Sequence, residues 1–346
     1  MKAIVVEATG GLEALQYRDV DAPQPASREL LIKVAAAGVC SHDIAMRKGV
    51  LKRGITLPFI PGHEISGTVV QIGQGVSRFA VGDRVATTQR KHVCGVCAYC
   101  RSGRETYCED LEFLGHGLRC GGGYAQYVTV GEENVCLVPD TVSMADASIA
   151  ACAIGSSLNA VRDVGRVKAG ESVLVTGAGG GLGIHALQVA RVCGAKVYAV
   201  TSDPAKVALL EEAGADVVIT CDRGSDFSAK VREATGGRGV DVVIDNVGTP
   251  VFNACRRSLA KEGRWVLVGE LAGEFVPFNP AQLILNGNSM HSVHSSTRAH
   301  LQDCLNLLAD KRIRAYVDCE MPLADAPKAH SRVEKGLANG RVVLTP

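Results

Sequence analysis

The sequence predicts an α/β protein with two domains, one largely β and barrel-like, the other a doubly wound parallel sheet. Three observations carry that prediction. Short β-type runs broken by Gly and Pro fill the chain up to residue 153. Apolar runs alternate with helical segments from Gly170 onward. Beyond Ser289 the chain returns to mixed character, and its tail is able to rejoin the first domain.

In order, Leu30–Ala35, Ser66–Ile72, Arg84–Ala86 and Tyr124–Val130 read as strands at close spacing, as in an irregular antiparallel barrel. Ser172–Thr176 is a compact apolar run, followed by a glycine cluster and then by Leu182–Val192 at helical spacing. Lys196–Val200 leads into a helix over Pro204–Ala213. Asp216–Thr220, a helical Asp226–Ala234, Asp241–Asp245, a helical Val251–Leu259 and Arg264–Val268 follow. These runs are continuously apolar, as parallel strands covered on both faces require. His300–Asp310 reads as an amphipathic helix, and Arg341–Leu344 as a closing strand able to rejoin the first domain.

Bulk properties exclude some functions. The 346 residues are 47% hydrophobic and 21% charged, with 37 basic against 36 acidic side chains. That balance supplies no clustered positive field for nucleic acid or anionic lipid. No apolar stretch reaches the roughly 18–20 residues that span a bilayer. Met1–Glu7 meets an acid too early for a signal peptide, so a cytoplasmic location is expected.

The string Thr176–Gly183 carries a dinucleotide fingerprint, best fitted as Ala178, Gly180 and Gly183. The first position makes a tight turn, the second admits a pyrophosphate and the third lets helix pack on strand. Gly181 and Leu182 then stand where the helix N-terminus offers free amides to the anion. An acid at the tip of the next strand would hydrogen-bond the ribose of NAD(H) and repel a 2′-phosphate. Here the tip is Thr201-Ser202, with Lys206 as a counter-charge, so NADP(H) is favoured over NAD(H). Asp203 complicates this, and the plainer alternative is that these residues merely begin a solvated helix.

Two sets of metal-ligand types stand out among 13 cysteines. Cys94, Cys97, Cys100 and Cys108 fall within a lobe at 92–110, and four thiolates close a tetrahedron, as structural zinc requires. A disulfide pair is the alternative. The second set is dispersed. Cys40, His63 and Cys152 would leave a coordination position open, as catalytic zinc does. Spacing does not bring them together, and each has a plainer reading as a core residue.

With Gly62-His63-Glu64-x2-Gly67-x5-Gly73-x2-Val76 and the Cys94–Cys108 lobe, the chain resembles the zinc-containing medium-chain alcohol dehydrogenases over its length. The resemblance implies a GroES-like catalytic domain from both chain ends, residues 1–153 and 296–346, with a Rossmann domain inserted over residues 154–295. It implies one catalytic and one structural Zn2+ per chain. Cys40, His63 and Cys152 would be catalytic ligands, Glu64 an alternative ligand, and Asp43 the residue orienting His63. Val247 and Gly269 would contact the cofactor, and Arg341 would bind its phosphate. Hydride would pass between the nicotinamide and a small alcohol, aldehyde or ketone polarised by the ion, in a homodimer or homotetramer.

Two departures qualify the likeness. In Cys40-Ser41-His42-Asp43 a histidine stands where the family usually has a proton-relaying Ser or Thr, and Ala45 replaces a frequent second relay histidine. Either His42 takes the proton or the usual relay is absent. Asp241–Gly248 and the Thr201-Ser202 tip resemble the quinone-reductase and enoyl-thioester-reductase branches, so NADPH-dependent reduction of an activated C=C bond is the alternative activity. A binding role without catalysis is a third, and the full set of ligand types argues against it. Phe59, Leu111–His116 and Leu271 are the expected pocket lining.

Overall fold

The computed structural model describes residues 1–270 and 273–346, so the expected pocket residue Leu271 lies outside the described residues. The described chain divides into two compact units, Met1–Gly155 with Ser295–Pro346, and Ser156–His294.

The first unit is built on a seven-stranded sheet. Its order is Val317–Pro322, Arg341–Thr345, Glu29–Gly38, Ile65–Ile72, Arg84–Thr87 and Val135–Leu137, with Tyr127–Gly131 also pairing on Glu29–Gly38. All these pairings are antiparallel except that of Val317–Pro322 with Arg341–Thr345. Arg341–Thr345 does rejoin the first part of the chain, setting Val343 opposite Gly38 and Leu344 opposite Ala37. Ile4, Leu30, Ile32, Phe59, Ile65, Val85, Tyr124 and Leu344 fill the core beneath. Phe59 was expected at the pocket. It is fully buried in this core, its backbone exchanging hydrogen bonds with Val6, so it packs and lines nothing.

The second unit is a six-stranded parallel sheet in the order Val217–Thr220, Lys196–Thr201, Ser172–Val175, Val240–Asp245, Leu259–Leu267 and Ser289–Ser292. The chain builds outward on one side of Ser172–Val175, then crosses to build on the other. The topological switch therefore falls between Ser172–Val175 and Val240–Asp245, where such sheets bind ligands. The helix Gly183–Val192 follows the first strand. No helix of the described residues is long and apolar enough to cross a membrane.

Candidate metal and cofactor sites

The helix Ser41–Arg47 starts immediately after Cys40, and its first turn organises the dispersed metal set. Asp43 is fully buried. One carboxylate oxygen accepts from the Cys40 amide (3.1 Å); the other accepts from the Gly62 amide (3.1 Å) and from Nδ1 of His63 (3.2 Å). Burial opposes the charge on Asp43, but the adjacent His63 outweighs it and holds the carboxyl below the usual range. With Nδ1–H donated to a carboxylate, His63 has Nε2 free to ligate. Gly62 bends the chain here at φ +98°, with a Cβ blocked by the Tyr124 ring at 2.5 Å.

Cys152 comes from the opposite direction, on a π-helical turn over Ala150–Ile154 in which the Ile154 amide reaches back five residues to the Ile149 carbonyl. Such turns are rare and gather at functional sites. Cys40 Sγ and Cys152 Sγ lie 4.0 Å apart. Ligand atoms of Cys40, His63, Glu64 and Cys152 all fall within 4.8 Å of one another, every residue buried. Zinc–sulfur bonds of about 2.3 Å make a tetrahedral S···S edge of about 3.8 Å, so this donor set fits Zn2+.

Arg341, expected at the cofactor phosphate, is buried against this set. Its Nη2 and Nε form a fork on the Glu64 carboxylate (2.6 and 3.0 Å), and Nη2 lies 3.7 Å from both Sγ atoms. Burial pushes the Glu64 carboxyl up to about 7, with Arg341 opposing the rise.

A residue the sequence reading named only within a stretch completes the surroundings. His116 stacks on His42 with Nε2 atoms 3.2 Å apart, and Phe113 packs on both rings. Burial and the neighbouring histidines lower His116 to about 4. Of the rest of Leu111–His116, Leu114 is a core residue. No spacing rule ties residue 116 to residue 42, so only the fold reveals the pair.

The four-cysteine lobe is also assembled. Cys94, Cys97, Cys100 and Cys108 bring their sulfurs within 4.8 Å of one another. The amides of Cys94, Cys97 and Cys100 point at the sulfurs of Cys108, Cys94 and Cys97 at 3.2–3.5 Å. All four are free thiols, and the Cys94–Cys108 sulfurs are 3.5 Å apart, far beyond a disulfide bond of about 2.05 Å. Amides aimed at sulfur suit thiolates gathered on a cation, so this set too fits zinc.

In the second unit Gly177 makes the tight turn at φ +56°, one residue before the expected Ala178, because an alanine Cβ disfavours that conformation. A Cβ on Gly183 would stand 2.3 Å from the Gly177 carbonyl, hence the glycine where helix meets strand. Gly180, Gly181 and Leu182 lead into the helix, with Leu182 at its N-cap. Asp245, absent from the sequence-based set, ties the switch point together. It accepts from Thr176 Oγ1 (2.7 Å) and from the amides of Val247 (3.0 Å) and Gly248 (3.1 Å). Gly269 closes on the Asn246 carbonyl, which a Cβ would meet at 2.5 Å. Thr201 is buried and Ser202 exposed at the neighbouring tip. Lys206 lies across the glycine loop, its Nζ 3.4 Å from the Gly179 carbonyl.

Two family models match the chain. Residues 26–140 match the model of an alcohol dehydrogenase GroES-like domain, and residues 181–310 that of a zinc-binding dehydrogenase. An alcohol dehydrogenase from Geobacillus stearothermophilus is 35% identical, covering 99% of each chain. The chain belongs to the zinc-containing medium-chain alcohol dehydrogenase family. An acryloyl-coenzyme A reductase from Metallosphaera sedula is 33% identical over 100% of both chains. The crystal structure of AibC superposes with a TM-score of 0.92 at 42% identity, covering 100% of this chain and 96% of that one. As a member of this family the chain is a zinc-type oxidoreductase working with a nicotinamide cofactor.

Proposed function

We propose that the protein transfers hydride between NADP(H) and an alcohol, aldehyde or ketone whose oxygen meets the metal set of Cys40, His63 and Cys152. The observation that carries this reading is the convergence of those donors with Glu64 inside 4.8 Å, buried, with Asp43 fixing the His63 ring. Bound there, zinc supplies Lewis-acid polarisation of the oxygen, and the nicotinamide supplies or accepts the hydride. Glu64, held by Arg341, is the alternative ligand. The four-cysteine lobe holds a second, structural zinc.

His42 is the residue placed to exchange the substrate proton. Its contact with His116 gives that proton a second station. Two features support NADP(H). Asp203 spends a carboxylate oxygen capping Pro204–Lys206 through the Ala205 amide (3.0 Å), and Lys206 leans over the glycine loop. Ala178, Gly180, Gly181, Leu182, Gly183, Thr201, Ser202, Val247 and Gly269 form the remaining cofactor contacts in this reading.

Metal analysis with activity assays tests it. Two zincs per chain and chelator-sensitive oxidation of alcohols with NADP+ are expected; one zinc, or turnover indifferent to chelator, refutes it. A second reading, NADPH-dependent reduction of an activated C=C bond, is favoured by His42 in place of a hydroxyl and by the similarity to acryloyl-coenzyme A reductase. Reduction of an enoyl thioester without any alcohol oxidation decides for it. For assembly we propose a homodimer through the sheet-edge strand Ser289–Ser292. Beside it in sequence, Phe275 is fully exposed and Ile284 and Leu285 are 77% and 82% exposed. Light scattering that returns a monomer overturns this.

A further inference from the structure

We propose that Ser296 is a positioning residue for the metal ligand Cys152, acting through the π-helical turn that carries it. The inference rests on the reading of Cys152 as a zinc ligand. Ser296 is fully buried, and its hydroxyl donates to the Ala151 carbonyl at 2.6 Å, one residue before Cys152. π-turns are rare and occur mostly as single turns, frequently at functional sites, so a side-chain bond onto this one bears directly on the ligand it carries.

Ser296 is itself held from two sides. Arg90, 1% exposed, donates from Nη2 to the Ser296 carbonyl at 2.6 Å and from Nη1 to the Ser295 hydroxyl at 3.2 Å. Gln89 Oε1 accepts from the Ser295 hydroxyl and lies 3.4 Å from the Ser296 oxygen, whose single proton goes to Ala151. On the far side Thr297 caps the helix Arg298–Ala309 through the His300 amide, and that helix packs on the π-turn. Gly155 closes the contact, since a Cβ there would stand 2.9 Å from the Ser296 Cβ. The buried Ser296 hydroxyl thus holds the carbonyl next to Cys152, on the turn that sets the Cys152 sulfur beside Cys40. Residues that hold a ligand's neighbour in this way typically alter metal affinity by about 10–100-fold when removed.

The test compares Ser296→Ala, Ser296→Thr and Ser295→Ala as zinc-loaded holoenzymes challenged with a chelator. Ser295 shares Arg90 and Gln89 with Ser296, whereas the hydrogen bond to the Ala151 carbonyl is made by Ser296. Ser296→Ala is expected to release one of its two ions about tenfold faster than wild type, while the four-cysteine ion leaves at the wild-type rate and reports an intact fold. Cobalt substitution should show the thiolate-to-metal absorption of the two-cysteine site altered in that variant alone. Ser296→Thr, which keeps the hydroxyl, and Ser295→Ala should both behave as wild type. Equal release from Ser296→Ala and wild type overturns the proposal, as does equal acceleration in Ser295→Ala or Ser296→Thr. A wild-type chain holding only the four-cysteine ion instead overturns the ligand reading of Cys152 beneath it.

Discussion

Replacing Arg341 by Leu removes the guanidinium forked on the Glu64 carboxylate and leaves that buried acid facing two thiol sulfurs. The side chains of Glu64 and Arg341 are 0% and 5% exposed, so water cannot take over the lost contacts. Breaking a pair of this burial by removing one partner costs about 3–5 kcal/mol, because Glu64 must either stay charged without a partner or take up a proton as its carboxyl, already near 7, is pushed further up. At about 2–4 °C per kcal/mol for a domain of this size, Arg341→Leu should lower the melting temperature by about 6–20 °C. The measurement is thermal unfolding of protein stripped of zinc by chelator. In zinc-loaded protein the drop should be smaller, since a second cation then stands beside Glu64. The double variant Glu64→Leu with Arg341→Leu should recover most of the loss, for two apolar groups strand nothing. A single variant within about 1 kcal/mol of wild type, or a double variant as unstable as the single, would show that the pair carries no such interaction.

Lys206→Ala should raise KM for NADPH about tenfold while leaving KM for NADH unchanged, as expected for loss of one charge-assisted phosphate contact; steady-state kinetics with both cofactors reads the ratio, and equal changes refute the role. His42→Ala and His116→Ala should remove the same limb of the pH–rate profile, and an unaltered profile in His42→Ala ends its part in proton transfer. His330 is fully buried, with Tyr124 Oη at 3.1 Å, and burial brings it down to about 4. The unfolded chain therefore binds a proton that the native one refuses between about pH 6.5 and 4, so stability is fullest above 6.5 and falls as pH drops through that window. The loss is roughly 3 kcal/mol. His330→Gln should flatten the slope, as followed by urea unfolding across the same range, and an identical slope refutes the assignment.

Legibility in the sequence followed the range of the interactions. The parallel strands could be read off because burial on both faces makes each a continuous apolar run; Ser172–Val175, Lys196–Thr201 and Val240–Asp245 lie within a residue or so of expectation. The edge strand Ser289–Ser292 escaped notice because one covered flank leaves no such run. The four-cysteine lobe is local and was visible in its spacing. Cys40, His63 and Cys152 converge only through three separate elements, and their grouping came from resemblance rather than from spacing. Arg341 shows the limit of that route. A motif marked it as important, but only the fold gives its partner, 277 residues away along the chain. The His42–His116 stack and the π-turn had no sequence signal at all, since both depend on packing between distant segments.

The interruption of one unit by the other bears on how the molecule is made. Ser156–His294 is continuous, so it has every strand it needs while synthesis is still under way. The sheet beneath the metal set is different: Tyr127–Gly131 covers residues 29–33 of its central strand early, but the edge at Ala37 and Gly38 stays open until Arg341–Thr345 emerges. For most of translation that exposed edge and the waiting thiols are open to wrong partners, which makes early chaperone capture and late metal insertion the order of assembly this connectivity favours.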